Sequence, residues 1–158
     1  MLEKEELVLI NSYAIKLSSS NFFTGYKVIM KYNQFVNQVQ NRAQISSRGE
    51  TEVAIKATLE TLAERIVGDE ASNLAEQLPE EIGKYLRGRE GEKGHSFSLQ
   101  EFYDRVSKKE HVEPYTAAHH VLVVMAVANE AATSGEFDDI CANLSEDYKP
   151  IFAAESAN

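Results

Sequence analysis

The side chains best suited to metal binding or nucleophilic chemistry are four histidines and one cysteine, namely His95, His111, His119, His120 and Cys141. Zinc sites usually draw on Cys and His at characteristic short spacings along a helix or turn. His119 and His120 are adjacent, so on a helix their side chains diverge by about 100°. We expect one semi-buried and one exposed histidine, and a lone thiol that packs as a small core residue. The alternative is a metal site in which Cys141 joins His120 across two helices.

Paired carboxylates are the second set that could do chemistry, as general acids and bases or as ligands of a di-iron centre. Adjacent pairs occur at Glu80–Glu81, at Asp138–Asp139 and at Glu146–Asp147. Di-iron bundles place Glu-x-x-His motifs on facing helices, and no predicted helix here carries one. The first and third pairs fall in the first turns of predicted helices, where the helix dipole favours negative charge. These pairs therefore predict helix starts and no metal.

The glycine-rich segment 88–94 is the third candidate, because glycine-rich loops can cradle phosphate groups. Its spacing matches neither the P-loop nor the dinucleotide fingerprint, and no predicted strand precedes it. We interpret residues 88–94 as a flexible, solvated linker. The hydrolase motifs GxSxG and HExxH are also absent. The sequence thus predicts no enzyme, no catalytic residue and no cofactor.

Charge is distributed unevenly along the chain, whose formal net charge is −9. Residues 30–89 contain 8 basic and 9 acidic side chains, whereas residues 90–158 contain 5 basic and 13 acidic ones. The basic clusters Arg87–Arg89 and Lys108–Lys109 are too small for a nucleic-acid footprint. The excess of acid predicts an interaction surface for a basic partner in the second half of the chain. Its candidate residues are Glu136, Asp138, Asp139, Glu146 and Asp147.

Composition indicates one helical domain of ordinary size. The chain has 158 residues, of which 43% are hydrophobic, with only eight Gly and three Pro. So few helix breakers favour long helices over a turn-rich β-sandwich. A single cysteine excludes an intramolecular disulfide and fits a cytoplasmic location. The longest apolar stretch, residues 117–128, is too short to span a bilayer.

Helical periodicity defines the elements that must position these side chains. Ile55, Leu59, Leu62 and Ile66 recur at spacings of four, three and four residues, which is one helical face. Helices are predicted at about 33–44, 51–67, 98–109 and 114–133, with two shorter helices after each long one. The last helix of each half should start at Pro79 and near Ser145. The helices at 51–67 and 114–133 are expected to be central.

Polar residues before two of these helices are predicted N-caps. Asn33 is a candidate for the first helix. Ser98, with Glu101 three residues later, forms a capping box for the helix near 98–109.

The two halves of the chain share one apolar frame. Phe35 and Val39 align with Phe102 and Val106 at an offset of 67 residues, and other blocks align at 66. This recurrence predicts a tandem duplication. We expect an all-α helical bundle of two tandem repeats of about four helices each. The predicted segments are repeat one 30–89, linker 88–94 and repeat two 95–153, packed as one domain spanning 30–153 because each half alone would have a marginal core.

The ends of the chain are predicted to lie outside that domain. Residues 1–29 form an N-terminal extension that we expect to be poorly ordered, with an amphipathic docking helix as the alternative. Residues 154–158 form a tail.

Several segments are similar to one known family. The residues that carry the resemblance are TLAERIVGDEASNLAEQLPEEIGKYL at 61–86, MKYNQF at 30–35, FSLQEF at 97–102 and GEFDDI at 135–140. They resemble the bacterial family called domain of unknown function 2267, over about residues 30–153. The resemblance implies a small all-helical bacterial protein, with no catalytic residues to carry over.

These observations favour a soluble, non-catalytic protein-interaction module, acting on an unknown protein partner or as a homo-oligomer. No nucleic acid and no membrane span are expected. One alternative is a binder of a small apolar or amphipathic ligand between the repeats. The other is an unrecognised enzyme or metal protein.

Overall fold

The chain between residues 30 and 153, which the computed structural model describes, is almost entirely helical and contains no strand. Its eight α-helices are α1 (Tyr32–Ala43), α2 (Arg48–Arg65), α3 (Gly68–Ala75), α4 (Glu80–Gly83), α5 (Leu99–Glu110), α6 (Pro114–Ala131), α7 (Ser134–Ala142) and α8 (Lys149–Ala153). A 3-10 turn, Lys84–Leu86, follows α4, and another, Glu146–Tyr148, precedes α8. The all-α prediction is confirmed. The predictions for residues 1–29 and 154–158 fall outside the described residues.

Helices of the two halves have nearly matching lengths. α1, α2 and α3 contain 12, 18 and 8 residues, and α5, α6 and α7 contain 12, 18 and 9. The two long helices, α2 and α6, pack against each other. α1 packs on α6 of the other half, and α5 packs on α2. Each half therefore covers the long helix of the other. Within residues 30–153, no helix is long and apolar enough to cross a membrane.

Apolar side chains from both halves form one hydrophobic cluster. The predicted stripe Ile55, Leu59, Leu62 and Ile66 is confirmed, since none of these residues is more than 4% exposed. Phe35, Phe102, Phe137 and Tyr148 are among the largest buried side chains. Each fully buried side chain of this size contributes roughly 1.5–3 kcal/mol relative to an exposed one. Because the cluster draws on both halves, the packing of each half depends on the other.

The N-terminus of α5 is capped as the sequence predicts. The Ser98 hydroxyl accepts a hydrogen bond from the backbone N–H of Glu101 at 3.1 Å. The Glu101 carboxylate turns to Arg105 at 2.9 Å.

The predicted cap of α1 is wrong. α1 begins at Tyr32, one residue before Asn33. The Gln34 side chain accepts a hydrogen bond from the backbone N–H of Lys31 at 3.0 Å. The Asn33 carbonyl oxygen instead accepts one from the Arg48 guanidinium at 2.6 Å. A long-range partner therefore takes the side chain that the local pattern assigned to capping.

The C-termini of α1 and α5 share an unusual geometry. Both end in a non-glycine residue in the left-handed region, Gln44 with φ 56° and His111 with φ 60°. In each case a side chain four residues earlier, Gln40 or Ser107, donates a hydrogen bond to the carbonyl that follows the cap residue. The first helix of each half therefore ends in the same way.

The linker, residues 88–94, folds back onto the turn between α2 and α3. The backbone N–H of Gly91 donates to the Asp69 carboxylate at 3.0 Å, and that of Gly68 donates to the carbonyl of Glu92 at 2.9 Å. The segment is largely exposed, as predicted. It is not the free connector expected from its glycines, because these bonds fix its path across the first half.

Candidate functional site

A charged cleft of about 330 Å³ lies where α2, the 3-10 turn after α4, the linker and α5 meet. Four basic side chains, two acidic ones, one Ala and one Tyr line it: Glu60, Ala63, Glu64, Lys84, Tyr85, Arg87, Arg89 and Lys109. The lining therefore has a formal excess of two positive charges, whereas the chain as a whole has a net charge of −9. We call this feature the junction cleft.

Glu64 organises one wall of the junction cleft. Its carboxylate oxygens pair with Lys109 at 2.9 Å and with Arg105 at 3.2 Å. The Lys109 ammonium also donates to the Thr61 hydroxyl at 3.0 Å. Burial by itself would raise the pKa of Glu64, but the hydrogen bonds and charges of Lys109 and Arg105 outweigh it and lower that pKa. Glu64 is therefore held as a carboxylate between two cations.

The opposite rim of the cleft contains cations with weaker local partners. Arg89 lies 3.6 Å from the Glu92 carboxylate, which is a long ion pair. The Lys84 ammonium lies 5.2 Å from the centroid of the Tyr85 ring, a cation–π distance. Within residues 30–153, no carboxylate lies within 4.0 Å of Lys84 or Arg87. Both side chains are exposed, so their donors face solvent.

Close packing fixes the turn that holds these cations. Ile82 and Leu86, on either side of Lys84, are 1% and 0% exposed. A side chain at Gly83 would place its Cβ 2.6 Å from the carbonyl oxygen of Ala75, so only glycine allows this approach. The rim cations are therefore mounted on backbone that the core holds in place.

Behind the cleft, the Phe97 backbone joins the two halves. Its carbonyl oxygen accepts hydrogen bonds from Arg65 Nε at 3.0 Å and from the Tyr148 hydroxyl at 2.7 Å. The Arg105 guanidinium lies over the Phe97 ring, 3.8 Å from its centroid. Burial raises the pKa of Tyr148 to about 12, although the nearby Arg65 acts in the opposite direction. Tyr148 is therefore a neutral structural donor here.

Glu136, one of the five predicted surface carboxylates, has a partner in the first half. Its side chain accepts a hydrogen bond from Gln77 Nε2 at 3.1 Å, and the Gln77 carbonyl accepts from the Thr133 hydroxyl at 2.9 Å. Burial raises the pKa of Glu70 nearby; a hydrogen bond from Asn143 opposes this, while the charges of Asp139 and Glu136 add to it. This acidic group therefore lies at a contact between α3 and α7.

Asp147 also has a partner within the chain. It accepts a hydrogen bond from the backbone N–H of Leu99 at 2.7 Å, at the start of α5. Hydrogen bonds from Ser145 and from Leu99 lower the pKa of Asp147. The remaining predicted surface carboxylates, Asp138, Asp139 and Glu146, are exposed.

The adjacent histidines differ in burial, as predicted. His120 is 8% exposed, and His119 is exposed. Nδ1 of His120 lies 2.7 Å from the Glu110 carboxylate, whose side chain is 2% exposed. Among residues 30–153, no group of three or more His, Cys, Asp or Glu side chains is placed to hold a metal ion.

The sequence contained only part of the signal for the junction cleft. Arg87–Arg89 and Lys108–Lys109 stand out as basic clusters, but 20 residues separate them and each is small. The structure brings Arg87, Arg89 and Lys109 to one cleft. Glu60 and Glu64 are four residues apart on α2, and this spacing predicts that both line one wall. Nothing in the local pattern marks Lys84.

Comparison with known proteins identifies the family. A search of the curated proteins finds no match to the chain. A family model described as "Uncharacterized conserved protein (DUF2267)" matches residues 32–151, which is most of the chain and nearly all of the described helices. This agrees with the resemblance noted in the helical segments. The chain therefore belongs to the DUF2267 family of uncharacterized conserved proteins.

Proposed function

We propose that this protein is a non-catalytic helical module that binds a partner protein at the junction cleft. The observation that supports the proposal is the pair of exposed cations, Lys84 and Arg87, which have no carboxylate partner among residues 30–153 and are mounted on a tightly packed turn. Pre-positioned charged groups of this kind favour recognition, because little conformational entropy is lost when a ligand binds.

The chemistry of the cleft favours binding over catalysis. A general base must be free to accept a proton from a substrate. Glu64 already pairs with Lys109 and Arg105, and its lowered pKa makes it a weaker base. The polar groups of this wall are therefore engaged in positioning one another.

The alternative of an apolar ligand between the halves has less support from the packing. Leu59 and Phe102, from the facing helices α2 and α5, are both 0% exposed and belong to the shared core. A second cleft, of about 480 Å³, is lined by Lys31, Asn33 and Glu81 beside apolar residues. Neither cleft has the largely apolar lining typical of a site for a greasy ligand.

To test the proposal, tagged full-length protein would be used for affinity purification from native cells. The variant Lys84→Gln/Arg87→Gln removes the rim charges. The control variant Lys56→Gln/Lys108→Gln removes two exposed lysines that do not line the cleft. We expect a specific partner to be retained by wild type and control and lost by the cleft variant. An unchanged set of partners in the cleft variant would refute the proposal.

We also propose that the fold arose by tandem duplication and still works as one unit. Two ion pairs support this: Glu64 with Lys109 at 2.9 Å, and Glu130 with Arg42 at 2.7 Å. The glutamates are 66 residues apart and the cations 67, the offsets of the apolar frame. Both pairs join a long helix of one half to the first helix of the other.

Cleavage of the linker near Gly91 tests whether the halves form one unit. Because buried residues of both halves share one cluster, we expect neither fragment to remain folded after separation. The measurement is far-UV circular dichroism of each purified fragment. If both fragments unfolded cooperatively on heating, the single-core proposal would fail.

A second surface is proposed for a basic partner, namely the exposed carboxylates Asp138, Asp139 and Glu146. It is supported by the acidic excess of residues 90–158, which have 5 basic and 13 acidic side chains. Such binding should weaken as salt screens the charges. Neutralising all three residues, as Asp138→Asn/Asp139→Asn/Glu146→Gln, should remove the partner, and salt-insensitive binding would count against the proposal.

A further inference from the structure

The charges of the junction cleft indicate the chemistry of its ligand. We infer that the cleft binds the carboxylate side chains of an acidic protein segment. The existence of a partner rests on the proposed function, but the preference for carboxylates can be tested without it.

Unused hydrogen-bond donors on the rim support this inference first. A lysine ammonium has three donors and an arginine guanidinium has five, and neither group accepts hydrogen bonds. Lys84 contacts only the face of Tyr85 among the described residues, and Arg87 has no carboxylate within 4.0 Å of it. Carboxylates satisfy such donors well, and arginine can bind them through two parallel hydrogen bonds.

The remaining charges of the cleft are already balanced. Lys109 and Arg105 pair with Glu64, and Arg105 pairs also with Glu101 at 2.9 Å. Arg89 has Glu92 at 3.6 Å. The uncompensated positive charge therefore lies on the rim beside the 3-10 turn, where an incoming anion would meet it first.

Two acidic residues of the lining favour a carboxylate over a phosphate dianion. Glu60 and Glu64 face the same cleft as the rim cations. They repel a doubly charged group more strongly than a singly charged one, because Coulomb energy scales with the product of the charges. A volume of about 330 Å³ is at the small end of ligand sites, which fits a few side chains of a peptide.

Direct binding of an acidic peptide to the full-length protein tests the inference. The probe is fluorescently labelled hexaglutamate, followed by anisotropy at low ionic strength, with labelled hexalysine as the opposite charge. We expect hexaglutamate to bind and its affinity to fall as salt is added. Lys84→Gln/Arg87→Gln should weaken binding roughly tenfold, since two rim contacts of about 0.7 kcal/mol each give that factor. The control Lys56→Gln/Lys108→Gln should change it less than about twofold.

The outcomes separate the two levels of the proposal. Equal affinity of the cleft variant and the control, or no binding of hexaglutamate, would overturn the inference. So would displacement of the peptide by inorganic pyrophosphate at far lower concentration than by free peptide, which would identify a phosphate site. Cleft-dependent loss of a native partner without peptide binding would leave the proposed function standing. Cleft-dependent peptide binding with unchanged native partners would support the anion site and refute the proposed function.

Discussion

The two halves of this protein have matching helices but different surfaces at their second turn of short helices. In the first half, Lys84, Tyr85 and Arg87 line the junction cleft. At an offset of 66 residues the second half has Pro150 and Ile151 in α8, and Ile151 is 2% exposed. The second half therefore contributes an apolar contact to the core where the first half presents charge. A shared frame has kept the core of both halves and placed the charged cleft on one side only.

The two long-helix ion pairs show the same asymmetry. The side chains of Glu64 and Lys109 are 20% and 30% exposed, and a second cation, Arg105, joins them. Glu130 and Arg42 are 45% and 39% exposed, and Arg42 also bonds Gln38. Equivalent positions therefore hold a partly buried network in one half and a surface pair in the other. Burial decides how much each contributes to stability.

The largest expected effect concerns glycines at the starts of α3 and α7. A Cβ at Gly68 would lie 1.6 Å from the carbonyl oxygen of Arg89, because the linker crosses there, whereas a Cβ at Gly135 would meet nothing within 4 Å. We expect Gly68→Ala to lower the free energy of unfolding by about 3 kcal/mol or more. Gly135→Ala should be neutral or slightly stabilising. Urea unfolding measures both, and equal effects would contradict the crossing of the linker at α3.

The two ion pairs give the next largest difference. Glu64→Gln should cost about 1–2 kcal/mol at neutral pH, because it leaves Lys109 and Arg105 without their shared carboxylate. Glu130→Gln should cost about 0.5 kcal/mol or less, as exposed pairs usually do. The lowered pKa of Glu64 stabilises the fold above the unfolded pKa, and that stability is lost as pH falls through the folded value. The deficit of Glu64→Gln should therefore shrink on acidification, and a pH-independent deficit would contradict this explanation.

Two threonines of α2 offer a smaller test of the long helices. At Thr58 the hydroxyl is buried with no hydrogen-bond partner, and the equivalent residue of α6 is Val124. Thr61 donates to the carbonyl of Ala57 and accepts from Lys109. Thr58→Val should stabilise the protein by about 1 kcal/mol, whereas Thr61→Val should destabilise it by a similar amount. Thermal unfolding distinguishes them, and the reverse order would refute the assignment of partners.

The smallest effect should come from Glu70, whose pKa is raised, in contrast to that of Glu64. A carboxyl with a raised folded pKa destabilises the protein as pH rises through the unfolded and then the folded pKa. Glu70→Gln should therefore gain stability relative to wild type between about pH 4 and neutral pH, by about 0.5 kcal/mol or less. Opposite pH trends for the two variants are the expected result of chemical unfolding at several pH values. A parallel trend would contradict the surroundings assigned to Glu70.

The sequence by itself determined the helices and much of the core, because helical periodicity is a local property of consecutive residues. The stripe from Ile55 to Ile66, the cap at Ser98 and the different burial of His119 and His120 all followed from local pattern. The cap assigned to Asn33 failed because Arg48 competes for that side chain from another helix. Local patterns carry no information about such partners.

Only the tertiary structure decided where the charges meet. Lys84, Arg87 and Lys109 line one cleft because α5 packs on α2 and the linker folds back over the turn before α3. The same packing gives Glu136 and Asp147 partners within the chain. Side chains far apart in sequence converge only after helices pack and a connection takes its path. Those long-range contacts, and not the periodicity of any segment, created the candidate site.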